Sequence, residues 1–286
     1  MDRGGKQNGL VGPPGNYLRP GLSPDEKRVV VDDVDSQGNR DVWIIELGRG
    51  NPSRFTFDPA IDVAPVWSPD GSRIVFASNR EGTLNLYQKP ASGAGKEELL
   101  LKTDLAKFPL DWSADGRFLL YQVNDPRTKY DLWVLPLFGD QKPFPFLQTE
   151  FNERYGRFSP DGRLIAYASD ESGAYQIYVQ SFPTSGGKFP VSTNGGSFPA
   201  WSRDGKELFY VSPDKKMMAV EVKGEGATFE PAMPKVLFDL RVRSFIDPQA
   251  RFAVTADGQK FLVNNSIGET SAPIAVVLNW TADLKK

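Results

Sequence analysis

The sequence repeats one short phrase, Ser-Pro-Asp-Gly, six times in intact or altered form, and this repeat constrains the fold more than any other feature. Successive aspartates of the phrase lie 45, 45, 46, 43 and 53 residues apart; they are Asp25, Asp70, Asp115, Asp161, Asp204 and Asp257. A period of about 40–50 residues with several short strands per unit is typical of a β-propeller. The phrase therefore predicts an all-β ring of repeated sheets.

The second repeat shows the expected unit most clearly. Proline, aspartate and glycine at 69–71 favour a tight turn between two apolar segments. The alternation around that turn predicts four antiparallel strands, at residues 64–68, 73–78, 84–88 and 97–101. No window of helical periodicity longer than about two turns occurs, so we expect almost no helix.

Six phrases predict a six-bladed β-propeller of four-stranded antiparallel blades, with residues 1–286 forming a single domain. The last repeat lacks an outer strand, which would leave an open sheet edge. We predict that an N-terminal strand, at about residues 6–12, supplies it by pairing with residues 273–280. The first six residues also resemble a chain that begins within a blade, which leaves open whether a longer parent protein carries an upstream segment.

The recurring aromatic and acidic residues have structural explanations. Trp67, Trp112 and Trp201 precede the turn at the same position, where large aromatic side chains fill the space between sheets. The six aspartates each belong to a separate tight turn around a ring, so turn formation explains them better than a metal or acid–base array.

Composition excludes several function classes. The chain has no cysteine and no histidine, which removes disulfides, thiolate nucleophiles, a Ser-His-Asp triad and the usual zinc ligands. Its net charge of −2, without a basic stripe, gives no support for nucleic-acid binding. No apolar run approaches the length of a membrane span, so we expect no direct membrane insertion. Catalysis by carboxylates, lysine or tyrosine stays open on composition, but the sequence has no Gly-x-Ser-x-Gly elbow, phosphate loop or kinase catalytic loop. We expect a monomer with no cofactor, no metal site and no catalytic residues in this chain.

The phrase and its flanks resemble a known family. Units of the form Trp-Ser-Pro-Asp-Gly-x-x-Ile-x-Phe-x-Ser, followed by Leu/Ile-Tyr/Trp-Val, are similar to TolB-like propeller repeats, also called WD40-like Pro-Asp repeats. Residues 64–88 and 157–180 come closest, whereas the sixth repeat has Thr255-Ala-Asp-Gly258 in place of the phrase. This resemblance covers nearly the whole chain, but it specifies fold rather than function because one scaffold hosts many activities.

A narrower resemblance concerns the propeller that follows the catalytic domain in some bacterial serine/threonine protein kinases. It rests on Met1-Asp-Arg-Gly-Gly-Lys6, Arg40-Asp-Val-Trp-Ile-Ile-Glu-Leu47, Arg54-Phe-Thr-Phe-Asp58 and Val276-Val-Leu-Asn-Trp280. It implies an extracytoplasmic or periplasmic sensor domain. The chain carries no signal peptide, so a cytoplasmic location stays open.

Candidate binding residues come from counting back from the serine or threonine of each phrase. Propellers usually bind at the channel mouth formed by the loops that enter the inner strands. Positions four residues back are Arg19, Ala64, Pro109, Tyr155, Phe198 and Arg251, and positions two back include Asp111 and Arg157. With Arg154, the arginines would form a cationic mouth for a carboxylate or an acidic peptide, and Tyr155 and Phe198 would add aromatic anchors. Asp111 and Arg157 form either an ion pair between neighbouring blades or a polar feature of the channel.

These residues favour a non-catalytic binding or sensor module that recognises a protein, a peptide or a small ligand. The alternatives are a six-bladed propeller enzyme of the lactonase or glycosidase type and the accessory propeller of a prolyl-oligopeptidase-like peptidase. The enzyme alternative needs several acids at the channel axis, and the candidate rings contain only Asp111.

Overall fold

The fold is all-β, as seen in a computed structural model that describes residues 1–183, 186–223, 229–242, 251–265 and 274–278. All regular elements within these residues are strands, which confirms the expectation of almost no helix for this part of the chain. None of the described residues forms an apolar helix of membrane-spanning length.

The strands form six antiparallel sheets in chain order. The first strand, β1 (Leu10–Gly15), belongs to the last sheet. Blade 1 contains β2 (Tyr17–Leu22), β3 (Arg28–Val34), β4 (Arg40–Glu46) and β5 (Pro52–Arg54). Blade 2 contains β6 (Asp62–Trp67), β7 (Arg73–Ser78), β8 (Asn85–Pro90) and β9 (Glu98–Leu101). Blade 3 contains β10 (Ala106–Trp112), β11 (Phe118–Asp125), β12 (Lys129–Pro136) and β13 (Phe144–Leu147).

The second half of the chain continues this pattern with one exception. Blade 4 contains β14 (Glu153–Phe158), β15 (Leu164–Ser169), β16 (Gln176–Ser181) and β17 (Lys188–Pro190). A five-stranded sheet follows, with β18 (Ser197–Trp201), β19 (Glu207–Val211), β20 (Lys216–Lys223), β21 (Glu230–Pro231) and β22 (Lys235–Asp239). The closing blade contains β23 (Phe252–Val254), β24 (Phe261–Asn265), β25 (Ile274–Leu278) and β1.

The prediction of six four-stranded blades is wrong. The structure contains five blades of four antiparallel strands, and the remaining sheet has five strands. In that sheet β21 and β22 both pair with β20, through Val222↔Pro231 and Ala219↔Lys235. Pro231 and Pro234 lie at the break between the two short strands, and a proline cannot donate a backbone hydrogen bond to a sheet. The outer position of this sheet is therefore occupied by two strands instead of one.

The N-terminal segment closes the ring, as predicted, but with different bounds. β1 pairs with β25 through Leu10↔Val277 and Val11↔Val276, so the strand begins about four residues later than expected. Residues 273, 279 and 280 of the predicted partner segment lie outside the described residues. This pairing removes the free edge that the last sheet would otherwise expose.

A second N-terminal contact was not anticipated from the sequence. The Met1 amino group donates to the Phe261 carbonyl over 2.7 Å, and the Phe261 N–H donates back to the Met1 carbonyl over 2.9 Å. Arg3 then forms a bidentate pair with Glu207, with Nη–Oε distances of 2.8 and 2.7 Å. The first three residues thus connect the closing blade to the five-stranded sheet.

Each Ser-Pro-Asp-Gly phrase folds as a tight turn held by side-chain hydrogen bonds, an arrangement called here the turn lock. In all six, the serine or threonine hydroxyl donates to the aspartate Oδ1 over 2.5–2.7 Å. The same hydroxyl accepts the N–H of the residue that starts the second strand, as Ser68 does from Arg73 at 2.9 Å. The Ser68 hydroxyl and the Ser72 N–H lower the pKa of Asp70 to about 2. These contacts confirm that the aspartates serve turn formation.

Candidate functional site

A β-bulge interrupts the inner strand of blades 1 to 4 and of the five-stranded sheet. The pairing shifts register within 18–21, 63–66, 109–111, 154–157 and 197–200. Four residues in these bulges have the left-handed φ that is rare outside glycine, with values of 51°, 56°, 60° and 53° for Arg19, Ala64, Tyr155 and Phe198. A bulge redirects a side chain out of the regular pleat. Five of the six positions found by counting four residues back from each turn are therefore bulge positions, and the sixth, Arg251, directly precedes the inner strand of the closing blade.

A central cavity of about 560 Å³ lies on the side of the bulges that faces the Ser-Pro-Asp-Gly turns. Its rim includes the turn residues Pro24, Pro69 and Pro160, and its inner wall includes Val66, Ala200 and Ala253. The sequence led us to expect the concavity among the loops that enter the inner strands. The cavity lies instead toward the Ser-Pro-Asp-Gly turns, at the other end of the inner strands, with the bulges between it and those loops.

The lining of the central cavity carries more positive than negative charge. It includes four arginines, Arg19, Arg157, Arg203 and Arg251, and two acids, Glu26 and Asp111, an excess of two positive charges. Arg19 is additionally paired with Asp32, whose side chain is fully buried, over 2.7 Å. One positive charge therefore remains uncompensated by the acids of this region.

Asp111 and Arg157 form the ion pair between neighbouring blades that the sequence left open. Arg157 Nη1 lies 3.5 Å from Asp111 Oδ1 and also donates to the Leu110 carbonyl. Asp111 Oδ2 accepts the Phe158 N–H over 2.8 Å. Burial raises the pKa of Asp111 and the Arg157 guanidinium opposes that rise. Both side chains also line the central cavity, so the two explanations hold together.

Arg251 is a cation of the cavity's inner end that lacks a carboxylate partner in the described part of the chain, and Arg203, at the exposed rim, contacts the Pro24 carbonyl. Among the described residues, no carboxylate lies within 4.0 Å of the Arg251 guanidinium. Its guanidinium carbon lies 5.7 Å from the ring centroid of Tyr155 and 5.8 Å from that of Phe198. Burial and the neighbouring Arg157 and Arg19 guanidiniums lower the pKa of Arg251. An arginine stays protonated in a protein, so this residue presents an uncompensated positive charge.

Tyr155 and Phe198 lie behind Arg251 and outside the lining of the central cavity. Their ring centroids are 4.1 Å apart, and the two residues are 5% and 4% exposed. Arg154 covers the other side of this pair, 4.7 Å from the Tyr155 ring and 4.3 Å from the Tyr130 ring. The two aromatic residues thus pack as an internal plug, and Arg154 is separated from the other candidate arginines.

Two turn residues at the rim were missed by sequence reasoning. Glu26 replaces the glycine of the phrase, with a φ of 55°, and accepts the Ala256 N–H of the closing blade. Arg203 replaces the proline and donates from Nη2 to the Pro24 carbonyl of blade 1 over 3.0 Å. Their departure from the repeated phrase was the available sequence signal.

The described residues contain no group of three or more acidic side chains that could hold a metal ion. The tryptophans of the wall also have satisfied N–H groups: Trp67 donates to the Gly21 carbonyl, Trp201 to the Arg157 carbonyl and Trp112 to the Gly116 carbonyl. The guanidiniums are therefore the main charged donors that the central cavity offers to a ligand.

Comparison with known proteins gives the family context. Residues 4–134 match the family description "TolB beta propeller domain". The Tol-Pal system protein TolB of Helicobacter pylori is 26% identical over 170 residues, which cover 56% of this chain and 40% of that protein. The chain therefore matches less than half the length of this relative.

Solved structures agree on the fold. A putative TolB from Agrobacterium tumefaciens has a TM-score of 0.71 at 19% identity, covering 94% of this chain and 92% of that chain. XC5397 from Xanthomonas campestris, a gluconolactonase, has a TM-score of 0.64 at 12% identity, covering 95% and 88%. These similarities establish a shared architecture, and they include an enzyme as well as a TolB.

Proposed function

Taking the chain as a TolB-like propeller, which the family match and the relatives support, we propose that it is a non-catalytic module that binds a segment of a protein partner in the central cavity. One observation carries the proposal: Arg251 faces a cavity of about 560 Å³ without a carboxylate partner among the described residues. Pockets of about 300–1,000 Å³ commonly bind ligands.

The charges define what the partner segment presents. Arg157 and Arg19 already have carboxylate partners, whereas the Arg251 fork is available for a bidentate contact with an acid. An acidic group of the partner would neutralise the excess charge of the lining. A carboxylate-bearing small molecule would use the same contact and is a distinguishable outcome of the test.

The test compares partner capture by three proteins. Arg251→Gln removes the unpaired charge, and Arg49→Gln removes an arginine whose side chain is 80% exposed and lies outside the cavity lining. A partner is first captured from a cell-envelope extract on the unchanged protein, then purified and titrated calorimetrically. Loss of one charged hydrogen-bonding group is worth about 1.5–3 kcal/mol, so Arg251→Gln should weaken binding roughly 10- to 100-fold.

Arg49→Gln, the matched control, should bind the purified partner as tightly as the unchanged protein if the central cavity is the binding site. Equal affinity of all three proteins for the purified partner would contradict the proposal. A dialysable carboxylic acid that copurifies and competes with the partner would instead assign the cavity to a small ligand.

We also propose an extracytoplasmic location and attachment to a serine/threonine kinase, both of which rest on the resemblance described under Sequence analysis. Fractionation of cells that express the epitope-tagged native gene, with protease protection of intact cells or spheroplasts, tests the location. The mass of the tagged product shows whether the propeller is joined to a kinase domain, and its reaction with ATP shows whether that domain is active. Recovery of the tag in the cytoplasmic fraction would contradict the proposal.

A further inference from the structure

The central cavity ends at a floor formed by the bulge residues. Ala64, Pro109, Tyr155 and Phe198 are each buried at this level of the ring. The two arginines of the same ring, Arg19 and Arg251, are partly accessible and line the cavity. In the described part of the ring, a ligand that reaches the floor therefore meets these two arginines. The packed rings of Tyr155 and Phe198 close the way beyond them.

The rim on the opposite side is narrowed by contacts between turns. Arg203 reaches from the five-stranded sheet to the Pro24 carbonyl of blade 1 over 3.0 Å. Glu26 of blade 1 accepts the Ala256 N–H of the closing blade. A peptide that enters through this rim and meets the floor has to end inside the cavity or fold back through the same opening.

The wall between rim and floor is largely apolar. Val66, Ala200 and Ala253 lie on it, and the indole N–H groups of Trp67 and Trp201 are occupied by backbone carbonyls. Such a wall suits apolar side chains, whereas the floor suits a negative charge. The terminal residue of a chain combines both in one place, because its carboxylate follows directly after its side chain.

We infer that the central cavity binds the free C-terminal carboxylate of a peptide, with Arg251 as the principal contact and apolar terminal side chains against the wall. This inference rests on the proposed function and adds which part of a partner is bound. A chain end needs to enter the cavity once, whereas an internal acidic residue needs room for two chain segments at the rim. No bond is made or broken, and the proton balance is unchanged because both groups are already ionised at neutral pH.

Three small probes separate the alternatives. N-acetyl-Ala-Ala carries a terminal carboxylate, N-acetyl-Ala-Ala-amide carries none, and N-acetyl-Asp-Ala-amide carries an internal carboxylate. Each is titrated into the full chain while amide and arginine side-chain NMR signals are followed. We expect N-acetyl-Ala-Ala to bind at least about tenfold more tightly than either amide, because only it pairs a terminal carboxylate with the floor arginine.

Variants connect the probe to Arg251. Arg251→Gln should weaken binding of N-acetyl-Ala-Ala about tenfold or more, and Arg251→Lys should restore part of it, because lysine keeps the charge without the planar fork. Arg49→Gln should bind as the unchanged protein does. Should Arg251→Gln fail to fold, Arg251→Lys and the probe comparison on the unchanged protein still decide the question.

The possible failures are distinct. Equal binding of N-acetyl-Asp-Ala-amide and N-acetyl-Ala-Ala would overturn the preference for a chain end and leave the proposed function standing. Absence of binding for all three probes up to their solubility limits would overturn the inference about the carboxylate. The proposed function fails separately, if the captured partner binds Arg251→Gln with undiminished affinity.

Discussion

Replacing Arg251 by methionine should make the protein more stable while it abolishes recognition of an acid. The substitution keeps an apolar stem of similar length against Tyr155 and Phe198 and removes a cation that has no carboxylate partner among the described residues. Burial and two nearby guanidiniums lower the pKa of Arg251, so its charged form is disfavoured by its surroundings. Methionine removes both the repulsion from these guanidiniums and the cost of burying a charge, so the substitution favours the folded state.

The magnitude follows from two opposing contributions. The aromatic rings lie 5.7 and 5.8 Å from the guanidinium, near the outer limit for a cation–π contact, so each contributes about 0.5–1 kcal/mol. An unpaired buried charge costs several kcal/mol in a closed interior. That cost is smaller here because the guanidinium faces a cavity. We expect a net increase of about 1 kcal/mol in the free energy of unfolding of Arg251→Met.

Urea unfolding followed by tryptophan fluorescence measures this change. Arg49→Met is the matched control: its side chain is 80% exposed and lies 3.9 Å from Glu46, so its unfolding free energy should stay within about 0.5 kcal/mol of the unchanged protein. A loss of about 1 kcal/mol or more in Arg251→Met would refute the reasoning, because it would identify Arg251 as a structural cation that is already satisfied.

Two further predictions concern the turn lock and a buried acid. Ser68→Ala should destabilise the protein by about 1–3 kcal/mol in urea unfolding, because it removes the hydroxyl that accepts the Arg73 N–H and donates to Asp70 Oδ1. The exposed Ser72→Ala removes only the hydroxyl contact to Asp70 Oδ2 and should cost less than about 1 kcal/mol. Equal losses in the two variants would contradict this role of Ser68. Burial raises the pKa of Glu153 from 4.5 to about 7, so the folded state keeps a proton there that the unfolded state releases above pH 4.5. Stability should therefore fall as the pH rises from 4.5 to 7, and Glu153→Gln, which keeps an acceptor for Thr149, should flatten that fall by about 1–3 kcal/mol in unfolding curves recorded across this range. A pH profile unchanged by Glu153→Gln would contradict the assignment.

The regular part of the fold was predictable because one local interaction repeats. Each serine–aspartate turn fixes where an inner strand ends and a second strand begins, and β7 (Arg73–Ser78) lies where the sequence predicted it. The outer strands depend on long-range pairing and carry weaker local patterns. This is why the division of the outer position into β21 and β22, and the contact of Met1 with Phe261, could not be read from the sequence.

The candidate site was predictable in its residues but not in its geometry. Counting from the turns found Arg19, Asp111, Arg157 and Arg251, which do line the central cavity. The same count also found Tyr155 and Phe198, which pack against each other beneath it. The left-handed backbone at Tyr155 and Phe198 has no local sequence signature, since neither is a glycine, and it places their rings in the interior.

The central claim is that Arg251 holds a positive charge available for a carboxylate in the central cavity. The most direct measurement is arginine side-chain NMR during titration with N-acetyl-Ala-Ala, repeated at low and high salt. We predict saturable shifts of the Arg251 signal, smaller shifts of Arg157 and Arg19, none for Arg49, and weaker binding at high salt. An Arg251 signal that does not respond, while the probe binds elsewhere or not at all, would contradict the claim.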